Sequence, residues 1–123
     1  MEHNMDDEKG KLTFRDPDDP EKKISLVYHH PSTDEWFKFR AKFHLAVVTT
    51  ETGSEERLEK LYRLNFDSGM TVLESFSDPA GLLGLSSEEN DWKEKIGKKA
   101  PDLILEVGAE AFHRKEFIPE KNS

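Results

Sequence analysis

The spacing of apolar residues changes along this chain, and the change restricts the folds that it can adopt. Near the start, apolar residues recur at every second position in two short runs, a period that is typical of half-buried β-strands. The segment 16–20 between the two runs consists of Asp and Pro residues, which favour a turn. The sequence therefore predicts a β-hairpin over residues 11–29. Its alternating apolar positions are Leu12, Phe14, Ile24, Leu26 and Tyr28.

A helix is predicted to follow the hairpin. Ser32 is a candidate N-cap, and Glu35 three residues later completes a capping box. The apolar residues between positions 36 and 47 fit a helical period, but the same stretch also alternates as a strand would. The capping box favours the helix. The β-branched run 47–50 is expected to leave this helix in an extended conformation.

Two apolar residues do not fit the buried side of this helix. Phe37 and Leu45 fall away from the stripe that Trp36, Phe39 and Phe43 share. Another surface is therefore expected to cover them. The hairpin is the preferred cover, and a partner protein is the alternative.

The longest helical pattern begins at residues 53–54 and extends to about Ser75. Gly69 lies on its apolar stripe. A glycine inside a helix costs about 1 kcal/mol relative to alanine, so it indicates either the close approach of a neighbouring element or a break at residues 67–69. The stripe comprises Leu58, Leu61, Tyr62, Phe66, Val72, Leu73 and Phe76.

Two shorter helices are predicted after this element. Ser86 and Glu89 form a second capping box, and the helix that follows has Trp92 and Ile96 facing inward. Pro101 suits the first turn of the last helix, because proline has no amide hydrogen to leave unpaired there. The apolar stripe of the last helix comprises Leu103, Ile104, Val107, Ala111 and Phe112.

Together these elements predict an α+β fold, with an N-terminal β-hairpin packed on about four α-helices. A chain of 123 residues has the usual size of one domain, so we expect a single domain over residues 11–113. Residues 1–10 are predicted to form a disordered acidic tail, and residues 114–123 a frayed C-terminal tail.

Charge and composition narrow the classes of function. The chain has 26 acidic and 18 basic side chains and a formal charge of -8, which repels phosphate backbones and anionic membranes. It contains no cysteine, which excludes disulfides and thiolate nucleophiles. No apolar run approaches the roughly 20 residues of a membrane-spanning helix, and the polar N-terminus does not fit a signal peptide. We therefore expect a cytoplasmic protein that binds neither nucleic acid nor a membrane.

No motif in the chain predicts catalysis. His29 and His30 are adjacent and would point to opposite faces of a strand, so they are poorly placed to hold one metal ion. The Asp-rich segment 16–20 is not followed by the glycine and glutamate of a calcium loop, and the segment 81–84 lacks the lysine of a phosphate-binding loop. We predict no catalytic, cofactor-binding or metal-binding residue. The alternative is a small metal-dependent enzyme that uses His29, His30 or His44.

Five short segments and Trp92, spread over most of residues 11–113, carry a resemblance to a known family. The segments are LTFRDPDDP (12–20), ISL (24–26), HPSTDE (30–35), LNFDSG (64–69) and APDLI (100–104). In their order they resemble small phage and prophage tail-assembly chaperones, in which a strand pair leads into a helix that begins with Pro-Thr. Here Ser32 follows Pro31 where that family more usually has Thr.

The resemblance implies a non-enzymatic accessory protein that keeps an aggregation-prone tail component soluble until assembly. The alternative in the same class is a minor structural or connector protein of a phage-like particle. The implied partners are other proteins, such as phage tail components, and the oligomeric state is open. Acidic charge would preserve solubility while aromatic rings supply contact area. The residues predicted to bind a partner are Trp36, Phe37, Leu45 and Trp92.

Overall fold

The structure is a computed structural model that describes residues 9–113 and residue 120, and its fold is α+β as predicted. The elements in chain order are β1 (Lys9–Arg15), β2 (Lys23–His29), α1 (Thr33–Val48), α2 (Glu55–Val72), β3 (Leu73–Ser77), α3 (Trp92–Lys99) and α4 (Pro101–Phe112). The strands form one antiparallel sheet in the order β1-β2-β3. Most residues of the two predicted tails, 1–8, 114–119 and 121–123, lie outside the described residues.

The N-terminal hairpin is confirmed, and it starts at Lys9 rather than at residue 11. β1 and β2 pair in antiparallel register, with Lys9 opposite His29 at the open end. Aspartates hold the turn as predicted, since the Asp16 carboxylate accepts a hydrogen bond of 3.2 Å from the Asp18 amide. Alternate residues of β2 are buried, which places one side of the sheet against the helices.

The stretch that follows the hairpin is helical, so the capping box predicted the correct period. Ser32 Oγ accepts a hydrogen bond of 3.1 Å from the Glu35 amide, and Glu35 Oε1 accepts one of 2.9 Å from the Ser32 amide. The two bonds satisfy amide groups that the first turn of α1 would leave unpaired.

The predicted extended conformation of residues 47–50 is wrong. Val47 and Val48 remain in α1, and Thr49 is its C-cap. The side chain of Arg57, in α2, donates hydrogen bonds of 2.6 Å to the carbonyl oxygens of both Val47 and Thr50. Because these carbonyl groups have no partners within the last helical turn, the arginine stabilises the helical end despite its β-branched residues.

α2 ends at Val72, three residues before the predicted end, and the chain continues directly into strand β3, which the prediction missed. Leu73 and Phe76 are both buried, although they are three residues apart in a strand. Leu73 pairs with Tyr28 and Ser75 with Val27, so Glu74 is an extra residue in a bulge. The bulge turns Leu73 and Phe76 to the same side, and their spacing therefore imitates a helical period.

The second capping box is wrong as the start of a helix. The Glu89 carboxylate does accept a hydrogen bond of 3.0 Å from the Ser86 amide, but Ser86 Oγ accepts from Glu88 instead of Glu89. The segment forms turns, and α3 begins at Trp92. The last helix starts at Pro101 as predicted.

α2 and α4 pack side by side through glycines. A side chain at Gly69 would overlap the carbonyl oxygen of Ile104, and one at Gly108 would overlap that of Asn65. Gly69 therefore marks the close approach of a neighbouring helix, and α2 is unbroken. The core lies between these helices, α3 and the sheet. Its largest fully buried side chains are Leu26, Val72, Leu73, Ile96, Ile104 and Val107.

Candidate functional site

α1 carries apolar side chains on two sides. Phe39 and Ala46 are buried against the rest of the protein. On the opposite side, Phe37, Leu45 and Val48 have exposed fractions of 60%, 58% and 58%. Their spacing of eight and three residues places them along one side of a helix. This surface, called the α1 outer face below, consists of Phe37, Ala41, Leu45 and Val48.

The hairpin does not cover the α1 outer face, so the preferred prediction for Phe37 and Leu45 is wrong. The inner side of α1 packs on the C-terminal part of α4, where the rings of Phe39 and Phe112 stack with centroids 4.8 Å apart. This contact turns the outer face away from the core. Within the described part of the chain, no element covers it.

Trp36, another predicted contact residue, lies at the edge of the same helix. Its ring is partly buried against the core and lies 5.7 Å from the ring of Phe37. The guanidinium carbon of Arg40 lies 5.6 Å from the centre of the Trp36 ring, within the range of a cation–π interaction. The tryptophan therefore supports Phe37 from the side and adds partly exposed ring surface to α1.

Trp92 is on a different element from the other three predicted contact residues. It is the first residue of α3, and its ring packs 5.1 Å from the ring of Phe76 in β3. The indole is partly buried against the core. The structure thus places Trp36 beside Phe37 on α1, with Leu45 two turns further along the same helix. Trp92 lies where α3 packs on the sheet.

A groove runs between α1 and α2 beside the outer face. It has two adjoining parts of about 110 Å³ and 300 Å³. One part extends from Glu35 to Thr71, and the other from Thr49 to Lys60, so the two helices run antiparallel along it. The charged side chains along this α1–α2 groove are Lys38, Lys42, Lys60, Arg63, Glu35 and Asp67. Its apolar lining consists of Leu45, Ala46, Leu64, Phe39 and Phe112.

Basic side chains predominate along the α1–α2 groove, although the chain as a whole has a formal charge of -8. Lys60 pairs with Glu56 at 3.5 Å, and Arg63 pairs with Glu59 at 3.6 Å. Lys38 makes no ion pair or hydrogen bond with residues 9–113 or 120, and neither does Lys42. The α1 side of the groove therefore presents two ammonium groups to solvent.

A polar cluster joins the N-terminal end of α1 to the sheet. His29 Nδ1 lies 2.7 Å from Glu74 Oε2, and His29 Nε2 lies 3.1 Å from Glu35 Oε1. The hydrogen bond with His29, aided by Lys9, holds the pKa of Glu74 below its ordinary value. Burial raises the pKa of Glu35, but the Ser32 amide and His29 outweigh it and leave that pKa lowered. The cluster connects β2, β3 and α1.

The cluster offers little for catalysis or metal binding. Both ring nitrogens of His29 already face carboxylates, on opposite edges of the ring. His30 packs edge-on to Tyr28 at 5.8 Å, and His44 is exposed on α1. Among the residues that the structure describes, no group of three or more His, Asp or Glu side chains is arranged to hold a metal ion. None of the described helices is long and apolar enough to cross a bilayer.

No protein-family model, curated protein or solved structure matches this chain. The α1 outer face and the α1–α2 groove therefore have to be interpreted from their own geometry and chemistry.

Three features of this region were not predicted from the sequence. Val48 was assigned to an extended segment, so its place on the outer face was not predicted. Lys38 and Lys42 were treated as ordinary polar positions, although their spacing of four residues puts them on one side of a helix. The contact of His29 with Glu74 depends on the bulge in β3, for which the sequence carries no local signal.

Proposed function

We propose that this protein is a non-enzymatic accessory factor that binds another protein through the α1 outer face. The observation that supports this most directly is the exposure of Phe37, Leu45 and Val48 in one row on a helix that already buries its other side. Scattered apolar residues on a surface need no explanation, but a contiguous row on one helix is typical of a contact surface.

The chemistry of α1 suits such a contact. Aromatic residues and arginine are enriched among the residues that contribute most to protein–protein binding, and α1 presents Trp36, Phe37 and Arg40 together. Ser32 and Arg57 hold the two ends of the helix through hydrogen bonds. A helix that is already ordered loses little further conformational entropy when a partner covers it.

The more specific function that we propose is that of a phage or prophage tail-assembly chaperone. Its support is the order of the segments that resemble that family, from the strand pair and the Pro31-Ser32 helix start to the helix at Pro101. A factor of this kind would cover an apolar surface of a tail protein with the α1 outer face. Its acidic charge would keep the complex in solution.

Co-expression with the proteins encoded by neighbouring genes tests the proposal. We expect one of them to co-purify in a complex of defined mass. The variant Phe37→Ser/Leu45→Ser should weaken that complex by roughly 1,000-fold, because two residues at the centre of an interface contribute about 2 kcal/mol each, or about 4 kcal/mol together. The matched control is Leu58→Ser/Tyr62→Ser, which removes two similarly exposed apolar side chains from α2.

Equal loss of binding in the two double variants would contradict the assignment to the α1 outer face. Failure of every neighbouring gene product to co-purify with the wild-type protein would contradict protein binding in this setting. Analysis of purified mature particles separates the two structural roles, because an assembly chaperone should be absent from them and a connector protein should be present.

A further inference from the structure

The charge of the α1–α2 groove restricts the kind of segment that it could receive. Resting on the proposed protein-binding function, we infer that the groove binds an acidic amphipathic helix of the partner protein. Its apolar residues would contact Leu45 and Leu64, and its carboxylates would face Lys38 and Lys42. Leu45 belongs to both the outer face and the groove, so one partner helix would contact the two surfaces together.

The apolar lining of the groove matches one or two inserted side chains. The wider part, beside Leu45, Ala46 and Leu64, is an open depression of about 300 Å³. Ligand pockets in proteins usually measure roughly 300–1,000 Å³, so this part is at the small end of the range. It is too small for a folded loop and large enough for an aliphatic or aromatic anchor residue from a helix that lies along the groove.

The groove favours a helix over an extended segment. Both of its walls are helices, whose amide and carbonyl groups are already paired within α1 and α2. An extended peptide would find no backbone partners there and would leave its own polar groups unpaired. In a partner helix, the amide and carbonyl groups are already paired within the helix. It could pack on the α1–α2 pair as a third helix, with its apolar side in the groove.

Lys38 and Lys42, which pair with none of the residues that the structure describes, indicate an acidic partner. Lys38 and Lys42 are about 6 Å apart along the helix axis, at 1.5 Å per residue, and glutamates four residues apart on a partner helix have the same spacing. Nucleic acid fits less well, because it carries a negative charge at every phosphate. The net charge of -8 and the carboxylates of Glu35 and Asp67 in the groove repel such a polyanion more strongly than a helix with a few carboxylates. A helix with a few carboxylates and several apolar residues matches the mixed lining.

Fluorescence anisotropy with designed peptides tests the inference. The probe is a fluorescein-labelled helical peptide of about 16 residues with leucines along one side and glutamates flanking them. The control peptide has every glutamate replaced by lysine, and a labelled single-stranded oligonucleotide is the third probe. We expect the acidic peptide to bind at least tenfold more tightly than either control at moderate salt, and to weaken as salt rises.

Charge-reversal variants locate the binding. Lys38→Glu/Lys42→Glu should weaken binding of the acidic peptide by roughly tenfold or more, because two favourable pairs become repulsive. The matched control Lys11→Glu/Lys22→Glu makes the same change of charge at two exposed positions of the hairpin. Equal effects of the two double variants would overturn the inference, and so would tighter binding of the lysine peptide or of the oligonucleotide.

The partner that co-purifies with the protein gives a second readout, which does not depend on the peptide design. Lys38→Glu/Lys42→Glu should weaken that complex by a similar factor. If the complex depends on Phe37 and Leu45 but not on the two lysines, the inference fails and the proposed function stands. If no complex forms with the wild-type protein and no peptide binds, both fail.

Discussion

The close contact between α2 and α4 makes Gly108→Ala a sensitive test of the fold. A methyl group at position 108 would overlap the carbonyl oxygen of Asn65, which is backbone and cannot rotate away. Alanine favours a helix over glycine by about 1 kcal/mol, so a site with free space would gain stability. Overpacking costs roughly 1–3 kcal/mol. With the upper value for a backbone contact, the expected net loss is about 2 kcal/mol.

Thermal and urea unfolding followed by circular dichroism measure this loss. For a domain of this size, about 2 kcal/mol lowers the Tm by roughly 10 °C. Gly97→Ala is the matched control, because it is also a buried helical glycine but faces the movable ring of Phe66, whose Cζ would lie 3.0 Å from the new methyl group. Its stability should stay within about 0.5 kcal/mol of the wild type. A Gly108→Ala protein as stable as the wild type would refute the backbone contact between α2 and α4.

Three further predictions concern the ends of α1 and the cluster beside it. Arg57→Ala should lower the free energy of unfolding by roughly 2–3 kcal/mol, because charge-assisted hydrogen bonds to carbonyl groups are lost, and an unchanged urea midpoint would contradict this. Ser32→Ala should cost about 1 kcal/mol in the same assay while Ser32→Asp stays near the wild type; equal losses would argue against the cap. Glu74 has a lowered pKa in the folded state, so its ionised carboxylate stabilises the folded protein. This contribution to the free energy of unfolding is present above its ordinary pKa of 4.5 and disappears as the pH falls. The difference in stability between the wild type and Glu74→Gln should therefore shrink as the pH falls through and below 4.5, and a constant difference would contradict the pairing with His29.

The elements that were predicted correctly have ends held by hydrogen bonds between residues that are close together in the sequence. The aspartates of the first turn bond to backbone groups two residues away, and the capping box of Ser32 and Glu35 spans three residues. Such contacts can be identified from residue type and spacing alone. The same holds for Pro101, which starts α4 because proline fits the first position of a helix.

One error came from a local signal, since the spacing of Ser86 and Glu89 did not start a helix. Two other errors occur where distant residues decide the conformation. The run 47–50 has the composition of a strand, but Val47 and Val48 complete α1, and Arg57 in the next helix bonds to the carbonyl groups of Val47 and Thr50. Strand β3 was missed because a bulge at Glu74 gives Leu73 and Phe76 a helical spacing. Neither the arginine contact nor the bulge leaves a pattern within a window of neighbouring residues, so local reasoning could not find them.

The conflict between the two periods in residues 36–48 has a physical origin in the α1 outer face. A helix with one buried apolar side would show only the period of Phe39, Phe43 and Ala46. The outer face adds Phe37, Ala41 and Leu45, which together with Phe39 and Phe43 occupy every second position from 37 to 45, as in a strand. The ambiguity in the sequence is therefore what a helix with two apolar sides produces. Packing among residues 9–113 accounts for only one of those sides, and the second is the part of the pattern that a binding partner would explain.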